Sequence, residues 1–251
     1  MLKKRGRLPG SYLIAVAAIL TAGLITSAHA QYSGECWVAD YNNVFKISSN
    51  GKTMKISGFF QPLSLSINPV DGSCWVADTD ALSVRKLSAD GKELAKLNGS
   101  SQPPVFTSNP SSVSVDSRDG SCWVGVFDSI YKFSSDAKQL LKIEGFDEPV
   151  VAVNSKNGEC WVADSNNARV VRLSADGKQL GTMQVEGISQ PKSLSVNPAD
   201  NTCWVLDPFT QKVARLSPDG KVLAQASVAP PDGSAIMATC VVATPESGCW
   251  V

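Results

Sequence analysis

The chain has 251 residues, 43% hydrophobic and 18% charged, with equal numbers of basic and acidic groups (23 each). This is ordinary globular composition and allows a sizeable core. With no basic excess and no polybasic run, nothing attracts nucleic acid, and seven cysteines in a chain this long do not make a small disulfide scaffold.

Residues 1–30 read as an export signal rather than as part of the fold. Lys3, Lys4, Arg5 and Arg7 make a positive start, and an apolar run follows from Tyr12 to about Ile25. Ser27-Ala28-His29-Ala30 then supplies the small-residue pattern of a cleavage site. The run is short for a membrane span, so no stable membrane insertion is expected after cleavage. Cleavage would leave 19 basic residues against 23 acidic, a net charge of −4, and would remove the single histidine, His29. The expected location is periplasmic or secreted.

From residue 31 onward the chain repeats itself. Cys-Trp-Val begins at Cys36, Cys74, Cys122, Cys160, Cys203 and Cys249, at spacings of 38, 48, 38, 43 and 46 residues. All six tryptophans lie in these tripeptides: Trp37, Trp75, Trp123, Trp161, Trp204 and Trp250. Each full unit opens with an alternating segment: Leu63–Ile67, Ser112–Val115, Val150–Val153 or Ser193–Val196. A polar turn leads into Cys-Trp-Val. A third strand follows at Val44–Ile47, Val84–Leu87, Ile130–Phe133, Val170–Leu173 and Val213–Leu216, and a tight Asp-Gly or Asn-Gly turn (Asp136-Ala137 in the third unit) leads to a fourth.

Period-two alternation and Gly, Asp and Asn turns mean strands joined by hairpins. Four antiparallel strands in about 40 residues form one blade of a propeller. The fold class is therefore all-β: a propeller of five to six blades over residues 31–251. The first unit lacks an innermost strand. An innermost-type strand, Ala235–Thr244, precedes the last Cys-Trp-Val: either it completes the first blade, giving five blades plus a stray end, or, the favoured reading, the sixth blade is incomplete and the chain cut short at Val251.

The run from Gly158 to Leu173 (Gly-Glu-Cys-Trp-Val-Ala-Asp-Ser-Asn-Asn-Ala-Arg-Val-Val-Arg-Leu) resembles the NHL-repeat family of β-propellers. Cys-Trp replaces that family's aliphatic–Tyr pair in every unit. The resemblance implies fold far more than function. Lyases of this architecture rely on histidine, and gluconolactonase-like propellers use a Glu/Asn/Asp metal site that cannot be placed here.

Three groups of residues could carry chemistry. The cysteines at 36, 74, 122, 160, 203 and 249 have neither Cys-x-x-Cys spacing nor a disulfide partner on successive blades, so core packing is expected of them. Cys240 is extra, and hairpin counting sets it opposite Val251 rather than Cys249. The strand-end carboxylates Asp40, Asp78, Asp164 and Asp207 suit turn capping or, more weakly, a cation site. The inner-strand serines at 64, 66, 112, 114, 193 and 195 suggest a polar lining for a central channel. No catalytic residue, metal or cofactor is assigned.

The expected function is a non-catalytic, monomeric binding or scaffold module for a protein, peptide or glycan, with Asn98–Asn109 as a candidate contact loop. The alternatives are a metal-dependent hydrolase or lyase using Asp and Asn ligands, and a truncated fragment without independent function.

Overall fold

A computed structural model describes residues 35–98, 104–230, 238–244 and 248–251, with four short backbone strands before them. The fold is a β-propeller. Every described element is a strand. Alternation puts one side-chain row on each face of a sheet, and both faces of an internal blade are covered by neighbours. The second strands Cys74–Asp78, Cys122–Val126, Cys160–Asp164 and Cys203–Asp207 are accordingly buried along their whole length.

Blade 2 runs Pro62–Ile67, Cys74–Asp78, Ser83–Leu87 and Glu93–Asn98, all antiparallel. Blade 3 (Pro110–Val115 to Gln139–Glu144), blade 4 (Pro149–Val153 to Gln179–Met183) and blade 5 (Ser193–Val196 to Val222–Ser227) repeat the plan. The third and fourth strands of these blades share a register irregularity at one step: Lys86/Leu87, Lys132/Phe133, Arg172/Leu173 and Arg215/Leu216. Such a bulge bends the outer strand and increases its twist.

The two ends differ from the sequence expectation. The first blade does have an innermost strand: Ser27–Ala30 pairs with Cys36–Ala39, with His29 opposite Trp37. An open edge of N–H and C=O groups accepts whatever strand lies next to it. The rest of the expected leader lies outside the described residues, apart from three two-residue strands, Ile14–Ala15, Ile19–Leu20 and Gly23–Leu24. Among the described residues the sixth blade holds Val242–Ala243 and Cys249–Trp250. Its register sets Val242 opposite Trp250. Continued by one residue, it places Val241, not Cys240, across from Val251. No disulfide joins the cysteines.

The core lies between blades, and Cys-Trp-Val builds it by crossing over. Trp37 packs with Cys74 and Val76 of the next blade, and Trp75 with Cys122 and Val124. Trp123 meets Cys160 and Val162, Trp161 meets Cys203 and Val205, and Trp204 meets Cys249. Each indole thus fills the space its successor's small thiol leaves. Area alone makes a fully buried ring worth roughly 4–6 kcal/mol. Burial pushes the thiols of Cys74, Cys122, Cys160 and Cys203 well above their ordinary range, so they remain protonated.

Two sets of polar clasps reinforce the joints. In the first four blades the basic residue opposite the tryptophan lies over its ring and reaches the following blade's turn. Lys46 donates to Ala89 O at 2.9 Å, Lys86 to Ser135 O at 2.7 Å and Lys132 to Ala175 O at 2.8 Å, while Arg172 donates to Pro218 O. Their charges sit 5.1–5.9 Å from the indole centroids.

The second set overturns the channel reading of the inner-strand serines. Each hydroxyl accepts a backbone N–H from the next blade's inner strand. Ser64 and Ser66 take Val113 and Val115; Ser112 and Ser114 take Val151 and Val153; Ser193 and Ser195 take Val241 and Ala243, all at 2.9–3.1 Å. A strand edge with no neighbouring strand needs an acceptor, and an alternating serine supplies one.

Blade 4 carries Val150 and Ala152 at these positions. Its joint to blade 5 is stitched differently. Asn201 stands where earlier units have Gly72, Gly120 and Gly158, and keeps their left-handed backbone (φ 59°). Its side chain accepts from Asn154 at 2.7 Å and from the Trp161 indole at 3.4 Å, and donates to Glu159 at 2.7 Å.

Candidate functional site: the loop face

Antiparallel strands alternate direction, so each blade's loops fall on two opposite faces. The second-to-third strand loops and the blade-to-blade connectors share one face. The tight turns share the other.

Backbone bonds tie the two loop types together on the first face. Gln61 N–H donates to Tyr41 O at 2.9 Å and Asp80 N–H to Phe60 O at 3.0 Å. Two blades further on, Glu148 N–H donates to Phe127 O at 2.8 Å and Phe146 N–H to Asp128 O at 3.3 Å.

The strand-end carboxylates hold this face in shape. Asp78 accepts Phe60 N–H at 2.6 Å, and Asp164 accepts Asp147 N–H at 2.7 Å. Asp207 accepts Ser189 and Gln190 N–H on one oxygen and Phe209 and Thr210 N–H on the other, at 2.7–3.1 Å. Asp40 caps its own turn through Asn42 and Asn43.

Asp164 also pairs with Arg169 at 2.5 Å and with the Asn167 amide. Burial raises the Asp78 carboxyl above its ordinary range, against the Phe60 N–H and Arg85. At Asp207 burial pushes upward too, but the N–H groups of Gln190, Ser189 and Thr210 outweigh it and hold the carboxyl low. Each of these carboxylates thus accepts at least one backbone N–H of a loop or turn. Among the described residues no three His, Cys, Asp or Glu side chains are grouped to hold a metal ion.

What the loops leave exposed is aromatic. Tyr41 (54% accessible), Phe60 (62%), Phe127 (53%) and Phe209 (60%) all project from this face. Their neighbours Phe59 and Phe146 are buried beneath the guanidinium groups of Arg85 and Arg169. Elsewhere among the described residues the exposed aromatic is Trp250.

These four rings are absent from the residues the sequence reading singled out. The parity of strand and loop would have revealed them, since three stand one or two residues from a strand-end aspartate or its equivalent. Of the expected contact loop, residues 99–103 lie outside the described residues, and Phe106 is buried against Tyr131 and Phe133.

The opposite face is electrically settled. In its turns Asp90 meets Lys92, Asp136 meets Lys138, Asp176 meets Lys178 and Asp219 meets Lys221, at 2.7–2.9 Å. The lysine and serine beside each aspartate hold it at about 2. These four lysines are therefore neutralised within their own turns.

No protein-family model and no curated protein matches the chain. Solved structures do. A streptogramin B lyase structure aligns with a TM-score of 0.75 at 17% identity, covering 96% of this chain and 80% of that one. A catalytically inactive His-to-Ala variant of virginiamycin B lyase from Staphylococcus aureus, with quinupristin, aligns at 0.73 and 16% identity, covering 93% and 79%. U3-55K aligns at 0.66 and 12%, covering 77% and 61%. At these identities the likeness is one of fold.

Proposed function

We propose that this chain is an exported, NHL-like propeller that performs no catalysis and binds a protein, peptide or glycan through its loop face. The observation that carries this reading is the set of four solvent-exposed aromatic rings on that one face. Rings held out on rigid loops are a recognition surface, because they offer large contact area at little entropic cost.

The histidine content and the roles of the strand-end carboxylates support the same reading. A virginiamycin B lyase is catalytically inactive when one histidine becomes alanine, and the only histidine here is His29, inside the expected leader. The carboxylates a hydrolase would use are capping turns. The positive start, apolar run and small-residue end of residues 3–30 support export.

Peptide and glycan arrays probed with the whole chain test the proposal. A binder is expected whose signal disappears in the Tyr41→Ala/Phe60→Ala/Phe127→Ala/Phe209→Ala variant. Incubation with quinupristin should leave that compound unchanged by mass spectrometry. A modified product would overturn the non-catalytic reading.

A further inference from the structure

We infer that the partner of the loop face is a cationic peptide segment, a stretch of another protein carrying several arginines or lysines. This rests on the binding reading above and specifies its ligand.

The first ground is charge. The described loops of this face carry Asp80, Asp128, Asp147, Glu148 and Glu186 beside the turn-capping Asp40, against one lysine, Lys192. Lys192 pairs with Glu148. Asp80, Asp128, Asp147 and Glu186 have no ion-pair partner among the described residues. On the opposite face the aspartates of the third-to-fourth strand turns, Asp90, Asp136, Asp176 and Asp219, each have a lysine two residues on. Those turns balance their charge, whereas the loops of this face leave most of theirs open.

The second ground is the placement of the rings. The hydrogen bonds that join the loops bring ring-bearing and acidic residues together along the backbone: Asp80 N–H donates to Phe60 O, and Glu148 N–H to Phe127 O. Immediately beneath, Arg85 lies 3.9 Å from the Phe59 centroid, and Arg169 is 5.9 Å from that of Phe146 while paired with Asp164. The buried layer therefore already shows a guanidinium set against a ring with a carboxylate alongside. The exposed layer again offers rings and carboxylates, and among its described loop carboxylates Glu148 alone has an ion-pair partner, Lys192. A guanidinium from outside would gain both the ring quadrupole and the charge. A neutral sugar would gain only the ring.

Rhodamine-labelled octa-arginine, titrated with the whole chain and followed by fluorescence anisotropy, tests this. Binding is expected, weakening as salt rises. Asp80→Asn/Asp147→Asn/Glu186→Gln should weaken it at least about tenfold, and Tyr41→Ala/Phe60→Ala comparably at unchanged charge. Asp90→Asn/Asp136→Asn/Asp176→Asn removes the same number of charges from the other face and should change it less than about twofold. Thermal melts establish that each variant is folded.

Equal losses from the two charge variants would mean attraction to net charge alone and would overturn the inference. So would no octa-arginine binding beside aromatic-dependent binding of chitohexaose or maltohexaose, although the broader binding reading would then stand. Silence from octa-arginine, both sugars and the arrays would end both.

Discussion

The two faces of this propeller are made from the same repeats yet solve different problems. On the turn face blades 2 to 5 use nearly the same device: a serine hydroxyl bonded to aspartate, the aspartate to lysine, and the turn closed at glycine or, in blade 3, at Ala137 in the same left-handed conformation. On the loop face only the aspartate at the strand end recurs, and what it caps changes from blade to blade. The difference separates scaffold from surface. Repetition marks what each blade needs in order to fold, and variation over a fixed frame marks where recognition can be placed.

The comparison makes predictions, beginning with what both faces share. Trp123→Ala should cost about 3–5 kcal/mol, because the cavity opens between two blades and neither face can close over it. Denaturant melts measure this. A small loss would mean that the crossing of Trp over Cys is not what holds the ring.

On the loop face, Asp164→Ala should cost roughly 2–4 kcal/mol, since it strands a buried N–H and leaves Arg169 without its partner. The serine clasps come next. Ser114→Ala should cost about 1 kcal/mol. Ala152→Ser, which supplies the hydroxyl that blade 4 lacks, should leave stability unchanged or raise it. A loss there would show that the Asn201 stitching excludes a second clasp.

Acid sharpens the contrast further. The Asp207 carboxyl is held below the ordinary value of 3.8, so it binds fewer protons folded than unfolded. Its contribution is complete above that value and vanishes as pH falls through the folded one. The melting-temperature gap between wild type and Asp207→Asn should therefore be wider at pH 7 than at pH 2.5. The smallest effect belongs to the turn face. Asp136 and Lys138 are largely exposed, so Asp136→Asn should leave the melting temperature within error.

Much of the fold was legible because its signals are local. Alternation at Leu63–Ile67 and the turn at Ser88–Gly91 act within a few residues, and the 38-residue and longer spacings of Cys-Trp-Val count the blades. The site was far less legible. The rings at 41, 60, 127 and 209 look like scattered loop aromatics until the loops are brought to one side. The serines were misjudged for the same reason: Ser66 and the N–H it accepts, on Val115, are 49 residues apart.

The sequence by itself determined a repeated all-β chain with four strands per unit, tryptophan-marked second strands and no histidine beyond residue 29. Only the tertiary structure decided that each tryptophan packs into the next blade, that serines join the inner strands, and that aromatic rings and unpaired carboxylates gather on one face. Hairpins are fixed by neighbours in the chain, whereas contacts between blades depend on how each sheet is turned against the next, which no local pattern encodes.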